Sequence, residues 1–238
     1  MHGTDEEHAK RAVALHAIDT YVTTDGCIGL GSGSTMRYAI DRVGELVAGG
    51  ARIRAVATSH ETERLCRDAK IPLVAFGDEP IDIAIDGTDE IDPQWSLVKG
   101  GGGALFREKA VALSARTFVV IATDRKCVDR LGAFPLPVEV VPFSTAFVAR
   151  EIEALGANVI LRRSGYDGRA FVSDNGNAIL DCGFGAIASA QILDRILREI
   201  HGVVSTGLFI GLASAVFVSK PDGSVAALPP PAHGALTF

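Results

Sequence analysis

Tryptophan occurs once and methionine twice in 238 residues, and there are only four cysteines. Those four, Cys27, Cys66, Cys127 and Cys182, stand far apart. The absence of any CxxC pair argues against a zinc knuckle or a thioredoxin-like redox site. The chain also lacks a basic, apolar start, so no signal peptide is expected. Free, buried thiols in a reducing cytoplasm are the expectation. No apolar run reaches the ~18 residues of a membrane helix. The run Gly207–Val218 is too short and is broken by glycine and serine. Positive charge is not in excess. A net charge of −6 argues against a nucleic-acid partner, which favours a basic face. It leaves open a phosphate ligand, which needs only a few local donors. The six histidines show no metal-ligand spacing.

What is present is the composition of a globular chain, 47% hydrophobic and 22% charged, long enough to bury a sizeable core. Strand-like and helix-like segments alternate. A helix is predicted over 6–22, with Ala9, Val13, Ala17 and Tyr21 on one face. "CIGLG" reads as a buried strand and "GSGST" as a turn, followed by a helix over 36–48. "IRAVAT" is a strand, 60–69 a helix, and "PLVAF", "DIAIDG" and "FVVIAT" are strands. Short β-rich runs separated by helices imply an α/β fold, a mostly parallel sheet covered on both faces.

The pattern changes near residue 133. "FPLPVEVVPF" is strand-like, but its three prolines place it at an edge or in an irregular segment. A helix follows, carrying Val148, Ile152 and Leu155 and stopped by Gly156. "ANVILRRS" and "AFVSDNGNAILD" read as antiparallel strands, the second doubled back at Asn175-Gly176. An amphipathic helix over 189–200 has Ile192, Ile196 and Ile200 on one stripe. The expected division is a main domain of residues 1–132 and 207–238 and a smaller α+β lobe of 133–206. The proline-rich tail "LPPPAHGALTF" reads as loose.

Three blocks carry chemistry. In the first, Gly31 and Gly33 alternate with Ser32, Ser34 and Thr35 at a strand-to-helix turn. Glycine lets backbone N–H groups turn toward a ligand, and a helix N-terminus favours an anion. No lysine follows, so this is not a P-loop. It reads as a phosphate cradle, with a capped tight turn as the alternative. In the second, "DIAIDGTDEID", Asp86 and Asp89 fall at or just beyond a strand end, where open α/β sheets bind ligands. A solvated acidic cluster or a metal site is the alternative there. Glu90 and Asp92 are read as facing elsewhere. In the third, Lys99 precedes Gly100, Gly101, Gly102 and Gly103, and Glu108 follows near the start of a helix. A bare backbone beside a cation can hold an oxyanion, and a nearby acid can abstract a proton next to a carbonyl. Alternatively, Glu108 pairs with the helix dipole or with Arg107 and Lys109.

"GLGSGST", "IDGTDEID", "KGGGGALFREK", "FPLPVEVVPF", "SDNGN" and "GLF" occur in this order between about residue 10 and residue 226. In order and rough spacing they resemble ribose-5-phosphate isomerase type A. The resemblance implies interconversion of D-ribose 5-phosphate and D-ribulose 5-phosphate in the pentose phosphate pathway, without metal or organic cofactor. It implies a Rossmann-like main domain, a ferredoxin-like lobe, and a homodimer or dimer of dimers.

The resemblance makes Glu108 the catalytic base, with Asp86, Asp89 and Lys99 in the catalytic set. It implies substrate contacts from Ser32, Gly33, Ser34, Thr35, Asp86, Gly87, Thr88, Asp89, Lys99, Gly100, Gly101, Gly102 and Lys126. Lys10 falls near a phosphate-binding lysine after a one-residue shift. Ser32 stands where many members have threonine, and Thr88 where alanine is common.

Overall fold

The structure is a computed structural model that describes residues 2–165 and 168–231, of residues 2–4 the backbone alone. The chain forms two compact units, Met1–Thr88 with Arg107–Cys127 and Gly211–Phe238, and Asp89–Phe106 with Val128–Ile210. Residues 89–106, 128–132 and 207–210, counted with the main domain from the sequence, cluster with the second unit.

The first unit is a doubly covered sheet. Its elements are α1 (His2–Tyr21), β1 (Asp25–Leu30), α2 (Ser34–Ala48), β2 (Arg52–Ala57), α3 (His60–Asp68), β3 (Ile81–Gly87), most of α4 (Leu105–Ser114) and β6 (Ala115–Thr123). β12 (Ala215–Ser219) and β13 (Val225–Ala227) complete it. The strand order is β13-β12-β6-β3-β1-β2, parallel except where β13 pairs with β12. The later residues of β1, β3, β6 and β12 are buried on both faces, which explains their apolar runs, whereas the edge strand β2 carries an exposed Arg52 and a half-buried Arg54. Val13, Ile18, Ile28, Met36, Ile40, Ile85 and Ile121 form the core, each at most 1% exposed. "PLVAF" does not form a strand: only Leu73 bridges to Ala55. Pro72 cannot donate to a ladder, and β2 already lies at the sheet edge.

The second unit contains β4 (Glu90–Ile91), β5 (Leu97–Val98), β7 (Leu136–Val140), α5 (Thr145–Ala154), β8 (Asn158–Leu161), β9 (Ala178–Gly183), α6 (Ala190–Glu199), β10 (Val203–Thr206) and β11 (Leu208–Phe209). Four of its strands form an antiparallel sheet in the order β10-β7-β9-β8. With α5 and α6 this is the β-α-β-β-α-β arrangement of ferredoxin-like folds. β11, β5 and β4 form a small separate sheet.

Two expectations change here. β7 is a fully buried inner strand, not an edge. It tolerates Pro137 because β10 ends at Thr206, paired to Val138. Beyond that pair, Gly207 N–H donates to Pro137 O at 2.7 Å and Gly207 O accepts the Lys99 N–H at 2.8 Å. The bond that proline could not supply is thus made by Lys99. The turn at Asn175-Gly176 is present, with Gly176 N–H donating to Ser173 O at 2.8 Å, but before it only Ala170 bridges, antiparallel to Arg163, so residues 170–177 add no full strand. In α6 the buried residue is Leu197, while Ile192 and Ile196 are exposed. Among the described residues no helix is long and apolar enough to cross a membrane. Residues 232–238 of the proline-rich tail lie outside the described residues.

Candidate active site

In the first unit the predicted residues gather at the carboxyl ends of three neighbouring parallel strands, β1, β3 and β6. This is where ligands bind in open α/β sheets. β1 ends at Leu30 and the chain turns at once. Asp86, at the end of β3, governs that turn. Its Oδ1 accepts N–H groups from Ser32 at 3.2 Å and Gly87 at 2.7 Å. A Cβ on Gly31 would lie 2.0 Å from the Asp86 carboxyl carbon, so only glycine fits. The Ser32 hydroxyl faces a hydroxyl cluster. It bonds Thr58 Oγ1 and Ser59 Oγ at 2.8 Å each. Thr62 Oγ1 donates to Gly31 O at 2.9 Å. Gly33 then takes a positive φ of 103° as the residue before α2. Ser34 is exposed and Thr35 half-buried there. With no side chain capping it, the N-terminus of this 15-residue helix presents backbone donors that suit an anion.

Glu108 is 5% exposed and stands in the first turn of α4. One turn later, Val111 lies against β1: a Cβ on Gly29 would meet Val111 Cγ1 at 2.3 Å. α4 carries the chain back to the start of β6, so it runs opposite to the strands. Its first turn, and Glu108, therefore lie toward the carboxyl ends of the strands. Lys126 is half-buried in the short helical turn Asp124–Lys126 that follows β6. Gly87 and Thr88 are half-buried at the end of β3. Lys10 reaches Glu6 at 3.1 Å and Glu7 at 2.9 Å, so its ammonium is already paired on α1.

The second unit holds the other predicted residues. Lys99 is 3% exposed, and its Nζ lies 5.5 Å from the centre of the Phe209 ring. The glycine run is a closed turn: Gly103 N–H donates to Gly100 O at 2.9 Å. Gly100 and Gly103 have φ of 101° and 86°, values that disfavour any side chain. Asp89 Oδ2 accepts the Gly101 N–H at 2.8 Å.

Reading by motif missed three residues at this turn. Arg162 Nη1 donates to Gly100 O at 2.8 Å and to Gly101 O at 3.1 Å. Its Nε and Nη2 fork onto Asp181. The Phe171 ring packs where a Cβ on Gly103 would be, at 2.5 Å, and lies 5.8 Å from the Arg162 guanidinium. The available signal was weak: a charged pair, Arg162-Arg163, at the end of a strand whose register was unknown.

Glu90 and Asp92 have structural tasks. Glu90 accepts N–H groups of Gly132 at 2.7 Å and Phe134 at 2.6 Å. Asp92 closes its own turn through Gln94 and Ser96 N–H groups, both at 2.9 Å. Burial raises the Asp92 carboxyl above its usual range despite those bonds. Three cysteines are buried and Cys127 is exposed. Burial pushes the Cys27 thiol up to about 11 and the Cys66 and Cys182 thiols up to about 12. Such thiols remain protonated and poorly nucleophilic. Among the described residues no group of three or more His, Cys, Asp or Glu could hold a metal ion.

Residues 54–223 match the family model for ribose 5-phosphate isomerase A (phosphoriboisomerase A). The chain is similar to the ribose-5-phosphate isomerase A of Roseiflexus sp. (strain RS-1), 46% identical over 93% of this chain and 96% of that one. It superposes on ribose 5-phosphate isomerase A from Methanocaldococcus jannaschii with a TM-score of 0.88, at 34% identity, covering 92% of this chain and 97% of that one. A D-ribose-5-phosphate isomerase solved in complex with phospho-erythronic acid gives a TM-score of 0.89, at 34% identity over 93% of this chain and 98% of that one. The chain therefore belongs to the ribose 5-phosphate isomerase A family.

Proposed function

We propose that this chain interconverts D-ribose 5-phosphate and D-ribulose 5-phosphate in the pentose phosphate pathway, with Glu108 as the base and an enediolate as the intermediate. One observation carries the chemistry. Within ten residues of chain, a buried lysine, a glycine turn held in left-handed backbone conformations and a buried glutamate follow one another. Family membership supplies the substrate class.

In the opened sugar, Glu108 takes the proton from C2. The electron pair of that C–H bond forms the C1–C2 double bond, and the carbonyl electrons move onto O1 as negative charge. The O2 proton passes to O1, the C2–O2 bond becomes the carbonyl, and Glu108 returns its proton to C1, which gives the ketose. Lys99 and the glycine-turn amides hold the oxyanion. Preorganised donors of this kind are worth ~3–4 kcal/mol each. The Gly101 N–H is committed to Asp89 and the Gly103 N–H to Gly100 O. Of the Gly101–Gly103 amides, that leaves Gly102 as the donor assigned to the oxyanion. Its position is open, with nothing within 4 Å of where a Cβ would stand. The phosphate is assigned to the Ser34 and Thr35 end of α2 and to Lys126. Ser32 and Gly33 shape that turn, and Gly87 and Thr88 continue the same rim. Asp86 and Asp89 are the polar groups that assist ring opening, Asp89 being the less buried of the two.

The test is direct. Ribose 5-phosphate alone, incubated with the protein in EDTA, gives the ketose at an undiminished rate. Activity lost to the chelator and restored by a divalent ion would instead make Asp86 and Asp89 metal ligands. The same reading places the enzyme in the cytoplasm as a homodimer or dimer of dimers. Exposed Phe143, Ile160 and Ile192 supply apolar surface for self-association, and sedimentation at several concentrations measures it.

A further inference from the structure

We propose that Arg162, locked by Asp181, is a positioning residue for the reaction: it sets the direction and donor strength of the glycine-turn amides. The inference rests on the isomerase reading above, because it concerns the amides assigned to the enediolate.

Four of the five guanidinium N–H donors are committed. Nε and Nη2 form a fork on the two Asp181 carboxylate oxygens. The two protons of Nη1 go to two consecutive carbonyls, Gly100 O at 2.8 Å and Gly101 O at 3.1 Å. The backbone of Arg162 is pinned as well. Its N–H donates to Ile179 O at 2.9 Å and its carbonyl accepts the Phe171 N–H at 2.8 Å. Arg162 and Asp181 side chains are 12% and 24% exposed, so solvent weakens the pair little.

A peptide unit is planar and trans, so its N–H points opposite to its C=O. Two carbonyls drawn to one nitrogen therefore aim the N–H groups of Gly101 and Gly102 the other way. The first of these meets Asp89 at 2.8 Å. The second is the amide assigned to the oxyanion. A cation on a carbonyl also polarises its peptide and strengthens the partnered N–H as a donor. Gly100 and Gly103 have positive φ, so the turn has few intrinsic constraints and needs external ones. Arg162 supplies one from the carbonyl side and Phe171 packs against Gly103 from another.

Phe171 is set by a neighbouring buried group. Glu139 is fully buried on β7, and its Oε1 accepts from Ser173 Oγ at 2.8 Å, Asn175 Nδ2 at 3.0 Å and Asn177 Nδ2 at 2.9 Å. These bonds hold the "SDNGN" turn just after Phe171. They give that motif a task the catalytic reading leaves unassigned.

Lysine cannot replace the fork, since it is a point charge with no planar double donor. The experiment compares Arg162→Lys, Arg162→Ala and Asp181→Asn with the wild type. It measures kcat, KM for ribose 5-phosphate, the inhibition constant of a phosphorylated hydroxamate that mimics the enediolate, and the melting temperature. For Arg162→Ala, kcat falls about 10–100-fold and the mimic weakens in parallel, while KM moves less than about threefold. Added guanidinium ion restores part of kcat in Arg162→Ala, and Arg162→Lys lies between. If Arg162→Ala fails to fold, Arg162→Lys and Asp181→Asn carry the same split. Unchanged kcat and mimic binding in folded variants would overturn the proposal. So would equal weakening of mimic and substrate, or a guanidinium response absent in a folded Arg162→Ala. Glu108→Gln in the same assay separates the two readings. An inactive Glu108→Gln beside normal Arg162 variants removes only the positioning role, whereas an active Glu108→Gln removes the mechanism on which that role depends.

Discussion

Two glycine turns are assigned to the substrate, one in each unit, and an aspartate from the same short block tends each. In the first unit Asp86 accepts the Ser32 and Gly87 N–H groups and fills the space beside Gly31. In the second, Asp89 accepts the Gly101 N–H. The turns differ in what surrounds them. The Gly31 turn is packed: its aspartate is 3% exposed and a Cβ would overlap it. The Gly100–Gly103 turn is open at Gly102 and held from its carbonyl side by Arg162. The first turn is thus built by exclusion and the second by tethering. A packed turn suits a fixed phosphate, whose charge does not change during the reaction. A tethered turn with an amide facing open space suits charge that appears only at the transition state.

The comparison needs turnover as a readout, and the largest expected effect tests whether that readout depends on the proposed base. Glu108→Gln keeps the shape but cannot accept a proton. Isomerisation falls ~10²–10⁴-fold while ribose 5-phosphate still binds. Steady-state rates with equilibrium binding measure both, and near-normal turnover removes Glu108 from the role.

Next in size is the packed turn. Gly31→Ala places a methyl 2.0 Å from the Asp86 carboxyl. Overpacking of this kind costs ~1–3 kcal/mol. The melting temperature falls, and activity falls with it through loss of fold. A Gly31→Ala variant that melts like the wild type would show that the turn is not packed as described.

The two aspartates sharpen the contrast at smaller size. Asn at either position keeps an acceptor oxygen but loses the charge. Hydrogen bonds to charged groups are worth ~1.5–3 kcal/mol against ~0.5–1.5 for neutral ones. Asp86→Asn therefore lowers the melting temperature measurably, because that carboxylate is buried and serves two N–H groups. Asp89→Asn is half-buried and serves one, so it lowers turnover with little change in melting. The reverse pattern would exchange the two turns' characters.

Much of this was legible beforehand. Period and composition located the parallel sheet, because strands buried on both faces must be apolar throughout. The two turns were found because glycine runs beside acids are locally encoded. What escaped depends on register. Pro137 looks like an edge residue until Lys99 N–H is seen on Gly207 O, where β10 has already ended. Arg162 lies 62 residues from Gly100 in sequence, and no local pattern joins them. The same holds for the Ser32 hydroxyl, whose partners Thr58 and Ser59 follow the neighbouring strand β2. Residue types announced the chemistry, but only the fold shows which donors are already spoken for.

The smallest expected effect on stability is the finest test of the open turn. Gly102 has no positive φ, and nothing lies within 4 Å of its built Cβ. Alanine there changes stability by ~1 kcal/mol or less, and can even raise it by restricting the unfolded chain. Gly101 differs: its Cβ would stand 2.8 Å from Asp89 Oδ1, so Gly101→Ala must shift the aspartate. If the Gly102 amide serves the enediolate, the new methyl intrudes on the sugar rather than on the protein. Gly102→Ala then melts like the wild type yet turns over more slowly. Its affinity for the enediolate mimic drops more than its affinity for ribose 5-phosphate, since only contacts stronger in the transition state speed the reaction. A melting curve and two inhibition constants decide the matter. Equal weakening of both ligands, or unchanged turnover, would make Gly102 part of a plain hinge and leave Lys99 as the only proposed donor to the oxyanion.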